Sequence, residues 1–223
     1  MFRSLQIVCL LIFSALLLSS ILAYSQTQAP AAVTFTLDFP ASQPEHYSIR
    51  IASEGSAHYQ SSGRMSADSD DTDSFDFDFA VTAETRQKIF DLAAKAGYFQ
   101  KDTDSHHKGL AFTGKKTLSY KDAQRSGEFT YNYSSNPAVQ ELTDLMQSLS
   151  ATLEFGHRLQ YDRHYQKLAL DEELKRMEEM ARNNQLIEVT AIQPILDQII
   201  ADQSVMNVTR ARAQRLLERA GVH

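Results

Sequence analysis

The stretch from Phe75 to Gly97 most constrains the fold, because its hydrophobic period changes partway along. Phe75, Phe77, Phe79 and Val81 alternate with Asp76 and Asp78, which is the two-residue period of a strand buried on one face. After Thr82 the period becomes helical: Ile89, Leu92, Ala93 and Ala96 share a face, Thr82 is a good N-cap and Gly97 a stop. A one-sided strand therefore runs straight into an amphipathic helix. Full burial of the four strand residues would contribute at most about 6–12 kcal/mol, at roughly 1.5–3 kcal/mol each. A slip of one residue would expose that set and bury Asp76 and Asp78, so the register is strongly specified.

The same alternation predicts strands elsewhere. Val33 to Phe39 forms one, stopped by Pro40, and Tyr47 to Ile51 the next. Glu54-Gly55 turns the chain back into Ala57–Gln60 as a hairpin. Further strands are expected at Leu110–Phe112, Lys116–Tyr120 and Glu128–Tyr133, with Gly114 and Gly127 at the connections. Asn136-Pro137 opens a second helix with buried stripe Val139, Leu142, Leu145, Met146, Leu149 and Leu153, which Gly156 is expected to end or kink. Strands joined by short links and followed by helices indicate an α+β fold: an antiparallel β-sheet with two helices on one face.

Beyond residue 156 the chain changes character. Asp171–Lys175, Glu172–Arg176 and Glu178–Arg182 are spaced for ion pairs along one helix, whose apolar stripe is Leu170, Leu174, Met177 and Ala181. Asn183-Asn184 ends it. A short helix through Ile192, Ile195, Leu196, Ile199 and Ile200 carries Pro194 in its first turn, and a last helix ends at Gly221. The expected organisation is an export segment over 1–25, an antiparallel α+β domain over 26–155 and a C-terminal helical appendage over 156–223.

The export segment follows from the apolar run Ile7 to Ala23 behind Arg3, with small residues Ala23 and Ser25 placed for cleavage after Ser25. The alternative is an uncleaved anchor over 7–23, since the run approaches bilayer-spanning length. Either route places the remainder outside the cytoplasm, periplasmic or extracellular. Cleavage removes Arg3 and the one cysteine, Cys9, leaving a chain of net charge −7 without thiols. Thiol catalysis, disulfides and cysteine-based zinc sites are then excluded, and the acidic balance argues against a nucleic-acid partner.

Tyr47-Ser48-Ile49-Arg50-Ile51, Glu54-Gly55 and Tyr59, with the later Ala96-Gly97-Tyr98-Phe99 closing a helix, resemble an uncharacterised bacterial exported domain over roughly residues 33–155. That family carries cysteine and proline ahead of its first strand; here Pro44 is present and the cysteine is not. The resemblance implies an α+β fold and no assigned activity. The helical appendage is similar to tails of exported proteins from soil bacteria, also without assigned function.

Four groups could carry chemistry. Asp68, Asp70, Asp71 and Asp73 could hold calcium, but Thr72 and the missing glycine break the calcium-loop pattern, and a solvated loop is expected. Asp102, Asp104, His106 and His107 crowd one loop and are the first place to seek a metal, although no cofactor is expected. His157, Tyr161, His164 and Tyr165 share a helical face and are expected to pack on the sheet domain. Arg212, Arg215 and Arg219 line the last helix, suited to its negative end and water, or to an anionic partner.

No phosphate-binding glycine loop, His-Glu-x-x-His or Gly-x-Ser-x-Gly motif occurs. The leading expectation is therefore a non-enzymatic binding module of the bacterial envelope with a protein partner. The alternatives are a metal-dependent hydrolase using the 102–107 loop, and a membrane-tethered structural protein.

Overall fold

The computed structural model describes residues 29–40, 42–64, 72–101, 104 and 109–221. The export segment, Asp68–Asp71 and most of the 102–107 loop lie outside the described residues. Six strands, β1 (Ala32–Asp38), β2 (His46–Ala52), β3 (Ser56–Arg64), β4 (Thr72–Ala80), β5 (Lys115–Lys121) and β6 (Ser126–Tyr131), form one antiparallel sheet. Their spatial order is β4-β3-β2-β1-β5-β6. Five α-helices accompany them among the described residues: α1 (Ala83–Lys95), α2 (Pro137–Tyr165), α3 (Ala169–Arg182), α4 (Gln193–Ala201) and α5 (Asn207–Arg219). The fold is α+β, as the patterning predicts.

The centre of the sheet is β1. Its Phe35 pairs with Ile49 of β2 and Leu118 of β5, and all three side chains are fully buried. The alternation Val33, Phe35, Leu37 puts these side chains on one face and Thr34 and Thr36 on the other. One apolar cluster runs from these residues through Ile89 of α1 and Leu142 of α2 to Leu174 of α3 and Leu217 of α5. Two tyrosines stitch sheet to helix within it: Tyr59 of β3 reaches Ser150 Oγ at 2.9 Å, and Tyr131 of β6 bonds Thr143.

Three expectations are corrected. The Phe75 strand, β4, lies at the sheet edge, and Phe75, Phe77 and Phe79 are only half-buried. A strand with one neighbour has its side chains covered from one side, so the full-burial figure is not reached. Leu110–Phe112 is not a strand. The Asn132 side chain holds that segment as a loop, accepting from Thr113 N at 2.9 Å and donating to the Ala111 carbonyl at 3.0 Å. Gly156 neither ends nor interrupts α2, which continues to Tyr165; the glycine instead lets Ile192 approach the helix.

The caps follow the sequence. Thr82 Oγ1 accepts from Thr85 N at α1, and Asn136 Oδ1 accepts from Ala138 N at α2, with Pro137 in the first turn. The last three helices are tied to the rest by polar contacts. The Glu188 carboxylate accepts from Thr82 Oγ1 at 2.6 Å and from Thr82 N at 3.1 Å, placing a negative charge at the start of α1. Thr152 Oγ1 donates to the Ile187 carbonyl at 2.7 Å.

Candidate functional site

A groove of about 330 Å³ opens where the ends of β3 and β4 meet the second half of α2. Gln43 and Pro44, from the turn before β2, form one rim; Arg158, Tyr161 and Asp162 of α2 form the other. Its floor is Ser61, which is buried, and Glu154. Gly63 belongs here for a steric reason: a Cβ at that position would lie 2.8 Å from the Glu45 backbone nitrogen.

The groove's polar groups are held in place by their neighbours. Glu154 Oε1 accepts from Tyr59 Oη and from Ser61 Oγ, both at 2.7 Å. Burial pushes the Tyr59 phenol well above its ordinary range, and the Glu154 charge pushes it further, so it stays a donor. His157 Nε2 lies 2.8 Å from Asp73 Oδ2, and its ring stacks on Phe75 with centroids 4.3 Å apart. The Arg158 guanidinium bonds the Glu173 carboxylate of α3 and lies 4.7 Å over the Phe155 ring. Arg64 Nε donates to Glu45 Oε1 at 2.7 Å. Burial raises the Asp162 carboxyl, with a contribution from nearby Glu173, while Arg158 opposes the rise.

The anticipated groups are placed unevenly. His157 packs on the sheet as expected, through Phe75. Tyr161 and Tyr165 pair with each other at 4.9 Å and stay exposed, with His164 edge-on to Tyr165. Asp73 belongs to β4 and to this groove; its companions Asp68, Asp70 and Asp71 lie outside the described residues. So do Asp102, His106 and His107, whereas Asp104 forms an isolated antiparallel bridge with Ser134. Among the described residues, no group of three or more His, Cys, Asp or Glu is placed to hold a metal ion. Likewise, no helix among them is long and apolar enough to cross a membrane.

Two arginines of α5, Arg212 and Arg215, face α3. Arg212 reaches Asp171 Oδ1 at 3.0 Å and Glu178 Oε2 at 2.6 Å, and Arg215 reaches Glu178 Oε1 at 2.8 Å. Asp171 and Glu178 thus pair between helices, while Glu172–Arg176 keeps its expected spacing at 3.7 Å. Burial raises the Glu178 carboxyl, but Arg215 and Arg212 outweigh it and hold the carboxyl below its ordinary range.

Sequence patterning does not single out Glu154, Ser61 or Arg158. One signal was available for the first: Ser150 and Glu154 follow Met146 at successive four-residue steps, placing polar side chains alongside an apolar stripe. A scan against protein-family models finds no match for the chain, and a search of curated proteins finds none either.

Proposed function

We propose that this chain is a non-enzymatic binding module of the bacterial envelope, exported by its N-terminal apolar run, with the groove at Arg64, His157 and Tyr161 as its recognition surface. The observation that carries this reading is the fixing of the groove's charged groups by residues around them. Glu154 is held by Tyr59 and Ser61, His157 by Asp73 and Phe75, Arg158 by Glu173 and Arg64 by Glu45. Groups ordered before a ligand arrives lose little freedom on binding, which favours recognition.

The architecture behind the surface is a sheet with α1 and α2 on the same face, extended beyond α2 by a helical appendage of α3, α4 and α5. Burial of Ile89, Leu92, Leu142 and Met146 in the cluster that holds Phe35 and Ile49 supports it, as do the Tyr59–Ser150 and Tyr131–Thr143 bonds.

The test is capture from envelope extract with the native chain and with a Tyr161→Ser, Arg64→Gln variant, both positions being exposed. A partner recovered repeatedly by the native chain and lost by the variant is expected. Recovery of nothing, or equal recovery by both, would overturn the groove as the recognition surface.

A further inference from the structure

We infer that β4 accepts an added strand from its partner, an extended segment in which apolar residues alternate with basic ones. This names the partner class for the binding reading above and rests on it only for the existence of a partner.

The two sheet edges differ in length, β4 having nine residues and β6 six. At β4, among the described residues, β3 pairs one side and no strand pairs the other. An edge of this kind presents a row of unpaired N–H and C=O groups. Its pairing with β3 runs without interruption from Ser56↔Ala80 to Arg64↔Thr72, and β4 holds no proline, lysine or bulge that would discourage addition.

The side chains specify what would add. On the inner face Phe75, Phe77 and Phe79 form a stacked ladder with centroids 5.6 and 6.0 Å apart, half-buried because, among the described residues, no strand covers them beyond the edge. An incoming strand with apolar residues at every second position would complete their burial. On the outer face stand Asp76 and Asp78, with side chains 62% and 88% exposed, and the His58 ring lies 3.6 and 2.8 Å from them. Intervening basic residues of the added strand would meet these carboxylates across the pair. Charge also argues against a second copy of this chain. A two-fold pairing of β4 with itself would set Asp76 and Asp78 against their own copies, and like charges across strands destabilise.

The experiment uses the full chain and three capped synthetic peptides of about ten residues, the length of a typical strand. One alternates valine or phenylalanine with lysine; one is a block rearrangement of the same composition; one alternates valine or phenylalanine with glutamate. Residue-resolved amide hydrogen exchange and fluorescence anisotropy are read for each. The lysine alternation is expected to slow exchange in β4, and the other two are not. A charge-reversed Asp76→Lys, Asp78→Lys variant should bind the lysine peptide about tenfold more weakly and now accept the glutamate peptide. An absence of β4 protection at saturating peptide overturns the inference, as does equal binding of the block peptide or peptide-free dimerisation that protects β4. A partner still captured through the groove while β4 shows no protection overturns this inference alone and leaves the groove reading standing.

Discussion

Replacing Gly156 by alanine tests how the last helices pack against α2, and two opposed effects decide the sign. In an isolated helix interior the change would gain roughly 0.5–1 kcal/mol, since glycine loses the most backbone entropy on folding. Here the new methyl would sit 2.5 Å from Ile192 Cγ2 and 3.1 Å from its Cβ. Ile192 is buried, and its branched side chain is stiff at χ1, so it has little room to swing aside. Overpacking of this kind costs about 1–3 kcal/mol, leaving a net loss of up to about 2.5 kcal/mol. For a chain of this size that lowers Tm by up to about 10 °C. The assay is urea unfolding of the four members of a cycle with Ile192→Ala, compared by midpoint at constant slope. Ile192→Ala alone should cost about 2–5 kcal/mol, and in that background Gly156→Ala should become stabilising by about 0.5–1 kcal/mol. A native-background Gly156→Ala that gains stability by the same amount would refute the contact.

Glu188→Ala should destabilise by about 1.5–3 kcal/mol, because both Thr82 donors lose a charged acceptor, and Glu188→Gln by less; thermal melts of the two variants check the order. The Asp162 carboxyl is raised by burial, so it favours the folded state at low pH and that contribution fades as pH rises through its folded pKa. Asp162→Asn is therefore expected to raise Tm at pH 7 relative to the native chain, with the gain shrinking toward acid. Asp122 behaves oppositely: the Gln124 backbone N–H leads the groups that hold it at about 2 against an ordinary 3.8. Its stabilisation is present above the ordinary value and lost as pH falls toward about 2, so Asp122→Asn should flatten the acid limb of a Tm-against-pH curve. Burial pushes the phenols of Tyr47, Tyr59 and Tyr131 above their ordinary range. In an alkaline titration read by phenolate absorbance these three should ionise only as the fold opens, and their smooth titration with the exposed tyrosines would contradict their burial.

The groove was legible only in part. His157 could be found because its spacing to Tyr161 marks one helical face, and Phe75 because it alternates. Their stacking could not, since it joins residues that are neighbours only once the sheet and α2 have formed. Glu154 reads in sequence as an ordinary polar helix residue; its two donors come from β3, more than ninety positions earlier. Asp171 and Glu178 show the same limit. Local spacing offers each a lysine or arginine four residues on, yet α5 supplies arginines at closer range.

What the sequence determined by itself is what short-range chemistry controls: the α+β class, the caps at Thr82 and Asn136, and the face on which each strand carries its apolar side chains. Periodicity and capping act over a few residues, so they can be read without knowing the fold. Only the tertiary structure decided that β1 is central, that β4 is left at an edge with its phenylalanines half-covered, and that α2 runs past Gly156. Strand order depends on which loops close and which faces find cover, and a glycine's role on what packs against it. Those are long-range contacts, which no local pattern encodes.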